Sequence, residues 1–551
     1  MGILVRRATL WLWAALSAAA AADCARAAEH AERQGLPARA LELFRRGAGL
    51  YASAGSDDAA FELRWRAGRL AVLWDSADLA LSDADHLLSV ATTDRQRAQA
   101  LVLRAQARIE RHETAALEDA DAAWSLAVSC GDADLRRLAL LRRAGGLYVQ
   151  GRWGEAMAVL DAVASDAGGE LSPAEQGELE DLRWPLLAAL GRRHEAVAGA
   201  LAARDRALGA GHWQRAAEMV SHAGVQLCYL GETTRAIEAC EQAIALCARI
   251  GADRGSIHVD QMTLAGLYLD AGRFADALRL GEAAAAGIRS AGLTSWVANV
   301  EHCQATMFMV LGRHDLAARH LAALPSDAPT WTRAARAMMV GVLQHRRTGR
   351  SPLEQLQRAQ SLLAEGGAIT SPFVQHRIAA EVAAWSPVQA ALPMLAEGEA
   401  WAEAHAQVAL RRMIRRIRVD VLLAAGRAGD AAEAAEALEA DFDGRWEAVN
   451  FYLPEVWATL ARAWDGVGDR PRADALVDQA CTWIDARLQH DVPPAFADSF
   501  RGANRVNGWL QRRRRPAGPA SRWHHGRRVS SAAPGRAQTR VVAPGGWEPP
   551  G

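Results

Sequence analysis

The 551-residue sequence contains no lysine, and all 63 of its basic residues are arginine. That absence removes chemistry. A G-x-x-x-x-G-K phosphate loop, the strand lysine of a protein kinase and Schiff-base catalysis each need an amine that this chain lacks. The seven cysteines, at 24, 130, 228, 240, 247, 303 and 481, include no C-x-x-C pair and no framework spacing. They read as small buried hydrophobes of a reducing compartment. Cys240 and Cys247 would share a helix face, yet no histidine or further cysteine completes a zinc set, so no metal site is assigned. Long apolar runs are missing too, the stretch from Ala8 to Ala22 being too short to span a membrane as a helix.

Half the residues are apolar and 23% charged, the mixture of a folded globular chain. The length implies several domains or one long repeat array. Alanine accounts for about 120 residues. The net charge of −1 hides an asymmetry, because residues 511–551 hold nine arginines against Glu548.

The amino terminus admits two readings. Arg6 and Arg7 before Ala8–Ala22, with Ala20–Ala22 as a small-residue cleavage site, match a secretory signal in residues 1–22 and an exported chain. The same residues also run without a break into the helical pattern of Asp23–Gln34. The latter reading, a first helix in a cytoplasmic protein, is the expectation.

Internal repetition is the strongest signal. Glycine recurs at 151, 191, 231, 272 and 312, and again at 426 and 468. Five residues after each stands alanine: 156, 196, 236, 277, 317, 431 and 473. Four residues before each stands a large apolar residue: Leu147, Leu187, Leu227, Tyr268, Phe308, Leu422 and Trp464. The apolar residue closes the buried stripe of one helix, and glycine takes the left-handed position that ends it. Alanine then lets a second helix approach the first closely. Ala236, Ile237, Cys240, Ala243, Ile244 and Cys247 show the helical period of that second helix. Weaker copies begin at Gly35, Asp75 and Gly349, with glycine replaced near 112 and 387. The expectation is about twelve hairpins, an all-α, right-handed α-solenoid of stacked antiparallel pairs.

Two segments carry a family resemblance. The unit Leu264-Ala265-Gly266-Leu267-Tyr268-Leu269-Asp270-Ala271-Gly272-Arg273-Phe274-Ala275-Asp276-Ala277-Leu278 resembles a tetratricopeptide (TPR) repeat. Its spacing is similar to the longer MalT-like variety of large bacterial signalling ATPases, cyclases and transcription activators. Val492-Pro493-Pro494-Ala495-Phe496-Ala497-Asp498-Ser499-Phe500, with Asn504 and Asn507, resembles the closing segment of such arrays. The resemblance implies a scaffold or sensor region that binds a protein or peptide in its groove. It also implies an alternative, a regulatory remnant acting with a separate ATPase or cyclase module. The resulting division is 1–34 first helix, 35–490 solenoid, 491–510 closing segment and 511–551 disordered basic tail.

Three readings compete for the tail: phosphate binding through Arg512–Arg515 with Trp523, His524 and His525, contact with the acidic solenoid of the chain itself or of a neighbour, or a non-functional extension. No helix-turn-helix follows the array, so nucleic acid is not the expected partner.

No catalytic constellation is intact. His112-Glu113 and His194-Glu195 lack the second histidine of H-E-x-x-H, and G-x-S-x-G is absent. His222, His258 and His302 fall within first helices as groove-lining or core residues. No catalytic, cofactor-binding or metal residue is nominated, and no cofactor or enzymatic activity is expected. Trp153, Trp184, Trp213, Trp296, Trp331, Trp385 and Trp401 read first as packing between helices and second as anchors for a groove peptide.

Overall fold

The computed structural model describes residues 2–33, 37–73, 76–166, 173–211, 213–249, 255–291, 293–324, 330–365 and 372–514. Among these residues the chain is all-α, with no strand. It divides into two compact units, residues 1–190 with 205–212, and residues 191–204 with 213 onward.

The first unit holds α1 (Gly2–Arg33), α2 (Pro37–Ser53), α3 (Asp57–Leu73), α4 (Ala77–Val90), α5 (Asp94–Glu110), α6 (Ala116–Ser129), α7 (Ala133–Val149), α8 (Trp153–Asp166) and α9 (Pro173–Ala189). Helix α10 (Arg193–Gly209) straddles the division. The second unit continues with α11 (Trp213–Tyr229), α12 (Thr233–Arg249), α13 (Gly255–Asp270), α14 (Phe274–Ser290), α15 (Thr294–Val310), α16 (His314–Ala322), α17 (Thr330–Thr348) and α18 (Leu353–Glu365). It ends with α19 (Pro372–Ala383), α20 (Val388–Ala404), α21 (Val408–Ala424), α22 (Ala428–Phe442), α23 (Leu453–Gly466), α24 (Arg470–His490) and α25 (Arg505–Arg513). Helices α1 to α9 in the first unit and α11 to α24 in the second each pack on their sequence neighbours as consecutive hairpins. The odd-numbered helices pack on one another from α3 to α9 in the first unit and from α13 to α23 in the second, with the even-numbered ones packed against them. Each unit is a stack of antiparallel hairpins of the α-solenoid class.

The hairpin turns explain the repeat. All seven repeat glycines adopt positive φ, between 71° and 83°. The residue after the glycine donates its N–H to the carbonyl of the apolar residue at −4, as in Arg152 to Leu147 at 2.9 Å and Arg273 to Tyr268 at 2.7 Å. This bond, with a second from the glycine N–H, closes the helix end and satisfies its last carbonyls. All seven apolar residues are buried, and all seven alanines show 0% exposure. A larger side chain there would force the paired axes apart.

The weaker copies differ among themselves. Gly349 has φ 75°, and His112 holds the left-handed conformation at φ 54° where glycine is replaced. Pro387 does not, since its ring fixes φ at −54° and it serves as the N-cap of α20. Gly35 and Asp75 lie outside the described residues.

With no lysine available, the ionic contacts are built from arginine forks. In the first unit Arg104 Nε and Nη2 both reach Asp119, at 3.0 and 2.7 Å, and Arg108 joins them at 2.7 Å. Arg45 and Arg64 hold the buried Asp83 in the same way. Each carboxylate lies between two guanidinium groups, which meets its need for acceptor partners in a dry setting.

The second unit closes on itself. Arg193 Nε donates to His405 O at 3.0 Å, Thr233 Oγ1 to Ala448 O at 2.8 Å and Asn504 Nδ2 to Val310 O at 2.8 Å, over 212, 215 and 194 residues of sequence. The turns at Gly191, Gly231, Gly272 and Gly312 therefore sit against successive parts of the chain about five hairpins later. A methyl group on Gly191 would lie 2.7 Å from His405 Cα, and one on Gly312 would collide with Ser499 O. No such neighbour lies within 4 Å of the corresponding position at Gly151.

Past α24 the chain makes a short 3₁₀ turn (Pro494–Phe496) and a π turn (Ser499–Ala503) before α25. Phe500 and Asn507 are fully buried, and Asn504 caps α25 by accepting from Val506 N and Asn507 N. At the start of the basic region, Arg513 pairs with Asp465 and Asp474, and Arg514 with Asp485 and Asp478. These arginines contact the acidic solenoid of their own chain. Residues 515–551, with Arg515, Trp523, His524 and His525, lie outside the described residues.

Candidate functional site

The inner helices of the second unit surround a cavity of about 190 Å³. One wall comes from α13 and α15, another from α17 and α19, and a third from α21 and α23. The irregular segment between α22 and α23 enters from one side, placing Val449, Asn450 and Phe451 at the cavity. Asp443, Gly444 and Asn450 give it three positive-φ positions. Its carbonyls at Ala448 and Glu447 are taken by Thr233 and Arg412. The segment is thus pinned from two sides.

Apolar side chains dominate the wall, and five of the chain's ten methionines, 262, 309, 338, 339 and 413, line it. Thioether side chains adapt to irregular shapes, which suits a cavity that accepts a variable occupant. Gly266 faces the same space in mid-helix, and a methyl group built there would meet nothing within 4 Å.

Six charged residues line the cavity: Asp270, Arg346, Arg377, Glu381, Arg416 and Glu455. Arg346 pairs with Glu455, and Arg416 Nη1 reaches Asp420 at 2.9 Å. Asp270 accepts from Asn450 N at 2.8 Å. Burial pushes the Asp270 carboxyl up to about 7 against that hydrogen bond. Arg377 and Glu381 are different. Among the described residues neither makes a hydrogen bond or close ion pair, and Arg377 Nε is a buried donor with no acceptor. Burial lowers the Arg377 pKa, with the charges of Glu381 and Asp270 opposing. His302 is held neutral, its pKa pushed down to about 4 by burial and by the charge of Arg377. Burial likewise pushes the neighbouring Cys303 thiol up to about 12, so it is not a ready nucleophile.

Of the histidines singled out in the sequence, only His302 reaches this cavity. His258 sits beside Gly287 and contacts Gln261 at 2.8 Å, and His222 lies on α11. His112 is in the turn between α5 and α6, and Glu195, next to His194, is taken by Arg192 at 2.6 Å. Cys240 is buried and Cys247 partly buried, and no group of three or more metal-ligating side chains occurs among the described residues. Of the tryptophans, Trp296 lines the cavity while Trp184 is buried elsewhere. Trp401 stacks on His376 and His405, and Trp385 meets His345 edge-on. The side chain of Trp331 lies outside the described ones. Sequence reasoning missed Arg377, Glu381 and Gly266; the cluster of methionines between 262 and 413 was the legible sign.

A second feature lies in the first unit. Trp13 and Leu16 on α1, Leu79 and Val90 on α4, and Trp124 and Val128 on α6 are exposed. Leu79 and Val90 stand eleven residues apart and Trp124 and Val128 four, so each pair shares a helix face. No described helix is long and apolar enough to cross a membrane.

No protein-family model matches this sequence, and no curated protein sequence matches it either. Among solved structures, yeast Tom70 aligns over 89% of this chain and 96% of its own, at 13% identity and a TM-score of 0.33. A circular tandem repeat protein with novel repeat topology and enhanced subunit contact surfaces aligns over 85% of this chain and 90% of its own, at 14% identity and a TM-score of 0.14.

Proposed function

We propose that this chain is a non-enzymatic binding scaffold that recognises a protein partner through its helix hairpins. The observation that carries the reading is the placement of exposed apolar side chains. Of the large ones exposed among the described residues, all but Val467 belong to the first unit. Apolar groups grouped on helix faces lose free energy when a partner covers them, and such patches mark contact surfaces. The interior of the second unit, at about 190 Å³, is closer to a cavity that holds benzene than to a peptide groove. The partner surface is therefore assigned to the outer helices α4 and α6. A MalT-like array acting with a separately encoded ATPase or cyclase module is the finer form of this reading, and the DNA immediately upstream tests it.

The test is affinity capture from native extract with the wild-type chain and with a variant carrying Leu79→Ser, Val90→Ser, Trp124→Ser and Val128→Ser. A stoichiometric partner retained by the wild type and lost by the folded variant is expected. No stoichiometric partner under several conditions, or equal capture by both, contradicts it.

A further inference from the structure

The cavity belongs to the second unit and carries its own reading. Burying a guanidinium N–H without an acceptor is costly, and native interiors rarely leave such a donor unanswered. Arg377 and Glu381 stand one turn apart on α19 and both line the cavity; Arg377 Nε is a buried donor with no acceptor, and the partly buried Glu381 makes no hydrogen bond or close ion pair among the described residues. Arginine four residues before glutamate is the poorer orientation for an i,i+4 pair, which is consistent with their facing the cavity rather than each other. A bare anion would satisfy Arg377 and be repelled by Glu381. A bare cation would do the reverse. A ligand carrying both charged groups close together answers both and brings no net charge into a low-dielectric interior.

The size and wall of the cavity narrow the choice. An apolar cavity of about 150 Å³ admits benzene, so in proportion this one of about 190 Å³ holds a ligand of about eight non-hydrogen atoms. The methionine wall, with Trp296 and Phe451, accommodates an apolar group. The open space over Gly266, where alanine would be the better helix former by about 1 kcal/mol, keeps room for it.

We propose that the cavity binds an α-amino acid with an apolar side chain, its carboxylate on Arg377 and its ammonium group on Glu381. The ligand's two charged groups are attached to one carbon, and its side chain fills the space among Met262, Met338, Met339 and Gly266. Amino-acid recognition adds a sensor function to the scaffold and does not depend on which protein covers α4 and α6.

Titration calorimetry of the full chain at neutral pH tests it, using leucine, methionine and phenylalanine against 4-methylpentanoate, which lacks the amine, and isopentylamine, which lacks the carboxylate. At least one amino acid is expected to bind at least tenfold more tightly than either analogue. Arg377→Gln and Glu381→Gln are each expected to weaken it tenfold or more with the fold kept, because neither side chain makes a hydrogen bond or close ion pair among the described residues. Gly266→Leu, whose first side-chain carbon would meet nothing within 4 Å and whose remainder enters the cavity, is expected to abolish binding while leaving the melting temperature equal or higher. Equal binding of an analogue, undiminished binding by folded Gly266→Leu, or no binding by any of the three amino acids overturns the proposal.

Discussion

The side chain of Asn504 donates from Nδ2 to the carbonyl of Val310 at 2.8 Å, joining residues 194 positions apart. The same side chain caps α25 through Oδ1, accepting from Val506 N and Asn507 N. One buried amide thus ends an early inner helix and starts the last one. Asn504→Asp keeps the cap but loses the donor to Val310, whereas Asn504→Ala loses both. Denaturant titration is expected to show a loss of about 1–2 kcal/mol for aspartate and about 2–4 kcal/mol for alanine. Equal small losses would mean that the bridge contributes nothing.

Asn507 is fully buried, with Oδ1 accepting from Tyr452 Oη and Nδ2 donating to Phe500 O, both at 2.8 Å. Truncation to alanine strands a buried hydroxyl and a buried carbonyl. A loss of about 2–4 kcal/mol in unfolding free energy is expected for Asn507→Ala. Adding Tyr452→Phe to that variant is expected to restore part of it, since one stranded group is then gone.

The repeat glycines separate by context. At Gly151 only the left-handed backbone resists a side chain, so Gly151→Ala is expected to cost about 1–2 kcal/mol. At Gly312 the added methyl group also meets the backbone of Ser499, so Gly312→Ala is expected to cost distinctly more, about 3 kcal/mol or above. Thermal melts of the two variants side by side measure the difference, and equal shifts would deny the close approach.

Burial pushes the carboxyls of Asp260 and Asp270 up to about 7. The folded chain holds these protons through a range in which the unfolded chain, with ordinary carboxyls near 4, has already released them. Their contribution is therefore most favourable below about pH 4, declines as pH rises and is lost above about pH 7. Asp270→Asn keeps an acceptor for Asn450 N and cannot ionise. Its melting temperature relative to the wild type is expected to rise between pH 5 and pH 8, by the equivalent of about 1–3 kcal/mol. A constant difference across that range would mean that Asp270 titrates as an exposed carboxyl.

The hairpins were legible because their determinants are local. Leu147, Gly151 and Ala156 act within one turn and two helix ends, and their spacing alone specifies the hairpin. Pro387 shows the limit, since a proline at the expected phase obeys its own fixed φ rather than the period. The cavity was far less legible. Arg377 and Glu381 look in sequence like any charged pair on a helix, and their lack of partners depends on residues from α13 to α23. Closure of the second unit was equally hidden, because nothing near Thr233 in sequence announces Ala448.

That closure is the central structural claim, and a distance measurement reaches it directly. Arg235 and Arg445 are exposed, and Thr234 beside the first contacts Glu447 near the second at 2.9 Å. Spin labels at positions 235 and 445, with the accessible native thiols replaced by serine, are read by pulsed dipolar spectroscopy. The structure leads us to expect a narrow distribution below about 30 Å, whereas five hairpins extending at about 10 Å each would place the labels about 50 Å apart. A distribution centred near the longer distance would contradict the closed second unit and the cavity built on it.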